Sequence, residues 1–298
     1  MPDKKVHLVL GSGGARGIAH IAVIEELQKA GYEIIEVIGC SMGAVVGGIY
    51  AAGHLPEYKN WLLGLSKRDV FDLLDFTFAK QGFVKGEKLF AKHVEVTGEE
   101  KIEDFPIPFT AVATDMRQHR EVHFKKGDLY KALRASVSIP GFFIPVVQNG
   151  QVLVDGGVLN PLPINLVKKK DDEDTEIIAV NLNGKVDPKY DKPRSPDKLE
   201  EMQKWFDKIL PDAMKPNRKT KAKSELPAEE ESFSLIELMD SSFSFTQDRL
   251  TELIIELYKP DHLIEIPRNA IGVFDFDQGK RVYEIGMEAC KSVLKQND

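Results

Sequence analysis

Residues Gly39-Cys40-Ser41-Met42-Gly43 stand where an apolar strand, Glu33 to Ile38, gives way to a run of small residues, Ala44 to Ala52. A G-x-S-x-G placed at a strand-to-helix turn is the signature of a nucleophile elbow. So sharp a turn leaves no room for a side chain at either flank, which accounts for Gly39 and Gly43. Ser41 is pushed outward, where its Oγ can meet a carbonyl carbon. The bare pattern is common, and its weight comes from the strand before it and the helix after it.

The surrounding chain fits that setting. Strand Val6–Leu10, helix Gly17–Ala30, strand Glu33–Ile38 and helix Met42–Ala52 form a β-α-β-α opening, which predicts a parallel sheet with helices on its faces. Ile18, Ile21, Ala22, Ile24 and Leu27 fall on one side of the first helix. Further strands are predicted at Phe109–Thr114, Arg120–Phe124, Gln151–Val154, Glu176–Leu182 and Leu263–Ile266. Ile177-Ile178-Ala179-Val180 is the unbroken apolar run expected of a buried parallel strand. No internal repeat is visible.

A chain of 298 residues, 42% hydrophobic, can bury a large core as one domain or two. Residues 1–185 read as the core. Between 186 and 232 prolines alternate with lysines and acids and apolar periodicity fades, as in an insertion or mobile loop. Within it, Leu199–Leu210 with Trp205, Phe206 and Ile209 is amphipathic, fitting either a surface helix or a lid that touches a membrane. Residues 233–298 complete the same domain with a helix at Phe233–Tyr258, a strand, and a final helix at Arg281–Lys295.

A net charge of -7 with no basic stripe argues against nucleic acid as a partner. Two cysteines, Cys40 and Cys290, are too few for a disulfide framework and fit a reducing compartment. No apolar run is long enough for a signal peptide or a membrane span, so the expected location is cytoplasmic. Peripheral contact with a bilayer through an apolar rim is compatible with this; oligomeric state is not readable.

A second glycine-rich segment, Gly11-Ser12-Gly13-Gly14-Ala15-Arg16-Gly17, follows the first strand and opens the first helix. Small residues there leave N–H groups uncovered at a helix N-terminus, which suits an anion. A dinucleotide pyrophosphate and the oxyanion of a tetrahedral acyl intermediate both qualify. The dinucleotide would require an acid at the end of the second strand, where this chain has Gly39-Cys40-Ser41. The oxyanion is the better fit, since Ser41 supplies a nucleophile that needs such a hole.

Ser41 also needs a base. A triad in the order serine, acid, histidine leaves only His262, in the turn Lys259-Pro260-Asp261-His262, which reads more simply as a strand edge. His20 lies on the first helix, where packing accounts for it. His119 and His123 are four apart on one strand face without a third ligand, so no metal site is expected. Asp155 is the stronger partner: Val152-Leu153-Val154-Asp155-Gly156-Gly157 ends an apolar strand in an acid, at the edge where open α/β sheets bind ligands.

These segments, with Arg134-Ala135-Ser136-Val137-Ser138-Ile139-Pro140-Gly141 between them, resemble the bacterial patatin-like phospholipases, a family similar to calcium-independent phospholipase A2 enzymes. The likeness runs from about Val6 to Pro163. It implies a three-layer α/β fold with a mostly parallel central sheet and helices on both faces. It also implies a Ser-Asp dyad without histidine, Ser41 as nucleophile and Asp155 as base. By the same likeness the N–H groups of Gly13, Gly14 and Ala15 form the oxyanion hole. Arg16 matches the loop's basic residue, which steadies the loop or attracts an anionic head group. Gly39, Gly43, Gly156 and Gly157 are the motif glycines. The family's loop is written G-x-G-x-x-G, whose glycines would fall at 12, 14 and 17; here position 12 is Ser12, which leaves open whether a positive φ is needed there.

The expected activity is a serine lipid acyl hydrolase, a phospholipase A or esterase acting through an acyl-enzyme, with no metal or organic cofactor. The alternatives are an acyltransferase or thioesterase with the same dyad, and a non-catalytic regulatory protein on the same fold. The aromatic-rich stretch Val70–Phe78 with Gln81–Val84, and Phe142-Phe143-Ile144, fit an acyl-chain cleft and core packing equally well.

Overall fold

The computed structural model of the chain describes residues 4–79, 82–168, 174–190 and 235–295. The amphipathic stretch Leu199–Leu210 and the rest of the expected insertion from residue 191 to 232 lie outside them. Two compact units divide the chain, Met1–Tyr190 with Phe245–Asp298, and Asp191–Ser244. Of the second unit, Leu235–Ser244 are described and helical.

The chain opens β1 (Lys4–Leu10), α1 (Ala19–Lys29), β2 (Tyr32–Cys40), α2 (Met42–Ala51), α3 (Leu55–Leu63) and α4 (Lys67–Leu73). An antiparallel pair, β3 (Phe76–Ala79) and β4 (Gly82–Val84), precedes α5 (Glu87–Thr97). Next come β5 (Phe109–Asp115), β6 (Arg120–Phe124), α6 (Leu129–Ser136), β7 (Val146–Gln148) and β8 (Gln151–Asp155). β9 (Thr175–Gly184), α7 (Leu235–Tyr258), β10 (His262–Pro267) and α8 (Gly279–Lys295) finish it. The strands expected from the sequence are all present, most of them one to three residues longer. The first helix starts later than expected, because Gly14–Ile18 forms a 3-10 turn ahead of α1.

Among the described residues eight strands form one sheet in the order β10-β9-β1-β2-β5-β8-β7, with β6 also on β5. The five from β10 to β5 run parallel, as the β-α-β opening requires. Alternation along β1 shows why helices flank both faces. Leu8 and Leu10 pack with Ile21 and Ile24 of α1, Val45 and Ile49 of α2, and Val282 and Ile285 of α8. Val9 points the other way, into a cluster with Ala179 and with Ile254 and Ile255 of α7. No described helix is long and apolar enough to cross a membrane.

One detail of the sheet positions the site. β6 pairs with β5 from Ala111 to Asp115 and so takes one edge of that strand. β2 pairs with β5 from Phe109 to Val112, and β8 pairs with it from Ala113 to Asp115. A strand has two edges, so β2 and β8 must share the other one. β2 runs parallel to β5 and β8 antiparallel, and they meet end to end: Cys40 opposite Val112, Asp155 opposite Ala113. Asp155 is the last residue of its strand, as expected, but that strand runs antiparallel to β5. It comes from the C-terminal end of β5 to meet Ser41.

Candidate active site

Ser41 makes the turn from β2 into α2 with φ 55° and ψ -125°. A serine held there is strained by about 1–3 kcal/mol, and its surroundings impose it. The Ser41 N–H donates to Ser136 Oγ at 2.9 Å, and the Ser136 hydroxyl donates to the Val112 carbonyl at 2.6 Å. A Cβ on Gly39 would overlap the Gly43 carbonyl, and one on Gly43 would overlap the carbonyl of Leu10.

The Ser41 hydroxyl donates to Asp155 Oδ2 at 2.6 Å, while Asp155 Oδ1 accepts the Gly157 N–H at 2.7 Å. Asp155 is fixed by its backbone too, through its N–H to the Ser138 carbonyl at 2.9 Å. Both side chains are out of solvent, Ser41 4% and Asp155 1% exposed. Burial pushes the Asp155 carboxyl from 3.8 up to about 6, against the hydrogen bonds from Ser41 and Gly157 that favour the charged form. Cys40 Sγ is 3.9 Å from Asp155 Oδ1. Burial and the nearby carboxylate hold its thiol well above the ordinary range, so it stays neutral. Gly156 and Gly157 let the turn close: a Cβ on the first would overlap the Val112 carbonyl, and on the second the Gln247 amide.

The glycine loop sits beside this pair. Gly14 has a left-handed φ of 56°, and a Cβ there would also collide with Val273. Ser12 has no left-handed φ, so serine fits the position where the family motif has its first glycine. The N–H groups of Gly13 and Gly14 donate to no carbonyl among the described residues, whereas Ala15 N–H is committed to the Val273 carbonyl at 2.8 Å. Ala15 is thus not free as a third oxyanion donor in this conformation. α2 begins directly after Ser41, which adds the positive end of its dipole.

Arg16 is buried. Its guanidinium donates to the Arg268 carbonyl at 2.6 Å and to Asn183 Oδ1 at 3.0 Å, which places it inside the scaffold rather than toward a head group. His20 is buried with its pKa lowered to about 4 by desolvation, and its neutral ring donates from Nε2 to the Gly11 carbonyl at 2.9 Å. It steadies the loop. His262 bonds Glu176 at 3.1 Å on β10, three strands away from β2, about 14 Å across the sheet. His119 sits in the turn before β6, and His123 bonds Glu121 at 2.7 Å. Among the described residues no group of His, Cys, Asp and Glu could hold a metal.

Ser41 and Gly14 also line an apolar cleft holding about 750 Å³ of space, part of it open to solvent. Its walls come from Trp61 and Leu62 of α3, Val70 and Leu73 of α4, Leu89 and Phe90 of α5, and from Phe142, Phe143 and Phe274. The aromatic-rich stretch is thereby divided: Val70 and Leu73 face the cleft, while Phe71 is 54% exposed. Of the side chains of Phe76, Phe78 and Phe83 nothing is described. His93 lines the cleft as well, ringed edge-on by Tyr58, Trp61 and Phe90, and burial lowers its pKa to about 3. The cleft therefore carries no charge from it.

Three contributors were not singled out from the sequence. Ser136 lies inside the quoted Arg134–Gly141 segment, between Ala135 and Val137, with nothing in the sequence to mark it out. Phe274 and Val273 come from a loop far downstream with no motif at all.

Known proteins bear on this arrangement. Residues 8–168, more than half of the chain, match the family model of the patatin-like phospholipases. An uncharacterized NTE family protein of Mycobacterium tuberculosis (strain H37Rv) is 46% identical over 180 residues, covering 60% of this chain and 49% of that protein. A lysophospholipase of Candida albicans is 34% identical over 191 residues, covering 63% of this chain and 14% of that protein. The chain thus spans about half the length, or less, of these curated relatives. VipD from Legionella pneumophila has the same fold at a TM-score of 0.53 and 15% identity, over 98% of this chain and 67% of that one. On the family match, this chain belongs to the patatin-like phospholipase family.

Proposed function

We propose that this chain is a lipid acyl hydrolase in which Ser41 is the nucleophile and Asp155 its base. The observation that carries the reading is the 2.6 Å bond from Ser41 Oγ to a desolvated Asp155 carboxylate beside an apolar cleft. Fungal relatives that carry the name lysophospholipase support a lipid ester as the substrate class.

The chemistry follows from the geometry. Asp155 takes the Ser41 proton as Oγ attacks the ester carbonyl, and the oxyanion that forms accepts the free N–H groups of Gly13 and Gly14. Collapse breaks the bond to the alcohol, which leaves with the proton from Asp155. Water then attacks the acyl-enzyme, Asp155 again taking a proton, and collapse breaks the acyl bond to Ser41 Oγ, which recovers that proton from Asp155 as the fatty acid departs. A carboxylate is a weak base for this step. Its desolvation, which lifts the pKa to about 6, raises its basicity while leaving it ionised at neutral pH.

Labelling with a fluorophosphonate probe, alongside hydrolysis of acyl esters, tests the assignment. Ser41→Ala is expected to lose both, and Asp155→Asn to lower kcat/KM by about a thousandfold. His262→Ala should match wild type. Labelling that survives Ser41→Ala refutes the nucleophile, and loss in His262→Ala with full activity in Asp155→Asn would return the base to histidine.

A further inference from the structure

The loop from Arg268 to Gln278 comes from well beyond the family-matched residues 8–168, yet the glycine loop holds it in two places. Ala15 N–H donates to the Val273 carbonyl at 2.8 Å, and Arg16 Nη1 to the Arg268 carbonyl at 2.6 Å. The loop is also braced from within, where Asp275 Oδ2 accepts the Gly272 N–H and the Gln278 amide, each at 3.1 Å. Between these anchors Phe274 is laid flat on Phe142, ring centroids 4.2 Å apart and planes at 28°. Phe142 in turn meets Phe143 edge-on at 5.0 Å. All three rings line the cleft that reaches Ser41.

We propose that Phe274 is a specificity-determining residue: by closing the cleft wall against Phe142 it makes the site favour long acyl chains over short ones. The inference rests on the reading of Ser41 as the acyl-accepting nucleophile. Its physical basis is that each methylene lying against a dry aromatic wall is removed from water, whereas a gap in the wall readmits water along the chain. The longer the chain, the more of it depends on the wall, so the effect is read as a ratio. The downstream loop thus gives this chain a selectivity that the matched segment alone does not encode. The anchoring by Ala15 and Arg16 links it to the nucleophile's own loop.

The test compares kcat/KM for nitrophenyl acetate and nitrophenyl decanoate in wild type, Phe274→Ala, Phe274→Leu and Ser41→Ala. Phe274→Ala is expected to lower the decanoate-to-acetate ratio about tenfold, mainly through a higher KM for decanoate, and Phe274→Leu to restore most of it. A second readout needs no turnover: the Kd of cis-parinaric acid, measured in a Ser41→Ala background, is expected to rise about tenfold when Phe274→Ala is added. An unchanged ratio together with an unchanged parinarate Kd overturns the role of Phe274 while leaving the nucleophile intact. Hydrolysis that persists in Ser41→Ala overturns the nucleophile instead, and the parinarate Kd still decides the wall. Should Phe274→Ala lose its cooperative melt, Phe274→Val is read by the same ratio and the same Kd, with the same criteria.

Discussion

At the scale of single residues, the pH behaviour of Asp155 separates function from stability. In its proposed role as base it must be ionised, so kcat/KM is expected to rise with pH through about 6 as a single-proton limb and to level off above it. A limb near 4 would mean that Asp155 works as a hydrated carboxylate. Stability runs the other way. The folded pKa, about 6, lies above the ordinary 3.8, so the folded chain holds this proton more tightly. Its stabilising contribution is full below 3.8 and lost as pH rises through about 6. Asp155→Asn should therefore gain thermal stability relative to wild type at pH 7.5 compared with pH 4. Melting curves at the two pH values check this, and a difference independent of pH would contradict it. The positions of Ser41, Asp155 and the flanking glycines were legible in the sequence because a sharp strand-to-helix turn demands glycine and so leaves a compositional trace. The roles of Ser136 and Phe274 were not, since one acts through backbone atoms and the other by proximity across the fold.

At the scale of elements, Ser136 joins three of them: α6, which carries it, the elbow after β2, and β5 through the Val112 carbonyl. Ser136→Ala leaves a buried N–H and a buried carbonyl unpaired, at about 1–3 kcal/mol each. A melting temperature lower by several degrees and fluorophosphonate labelling slowed about tenfold are expected; labelling at the wild-type rate would show that the elbow holds its strain without the strap. Seven strands were readable, β9 from its apolar run and β6 to the residue, whereas the short β3, β4 and β7 of three or four residues were not. Nor was strand direction, because alternation is the same read either way, and so the descent of β8 onto the edge vacated by β2 was invisible. α4 was missed for another reason. None of its residues is fully buried, Val70 and Leu73 face the cleft while Phe71 is exposed, and it shows itself only through the capping box of Ser66 and Asp69.

For the molecule as a whole, the family-matched residues 8–168 stop short of β9, which pairs with β1 in the middle of the sheet, and of α8, whose Val282, Ile285 and Cys290 fill the core against α1. Burial of each large apolar side chain is worth about 1.5–3 kcal/mol, and net stabilities are only about 5–15 kcal/mol. A chain cut after residue 168 is therefore expected to show no cooperative thermal transition by circular dichroism; a sharp melt near that of the full chain would contradict the assignment of α8 to the core. The end-to-end meeting of β2 and β8 also maps where the chain can change length. A residue added between Val152 and Asp155 would advance the carboxylate by about 3.3 Å and turn it to the opposite face of the sheet. A residue added in the connection between α6 and β7 leaves that register untouched. The separation of Ser41 from Asp155 is thus counted in whole residues, so on their proposed roles insertions and deletions either spare activity or extinguish it, with no graded series in between.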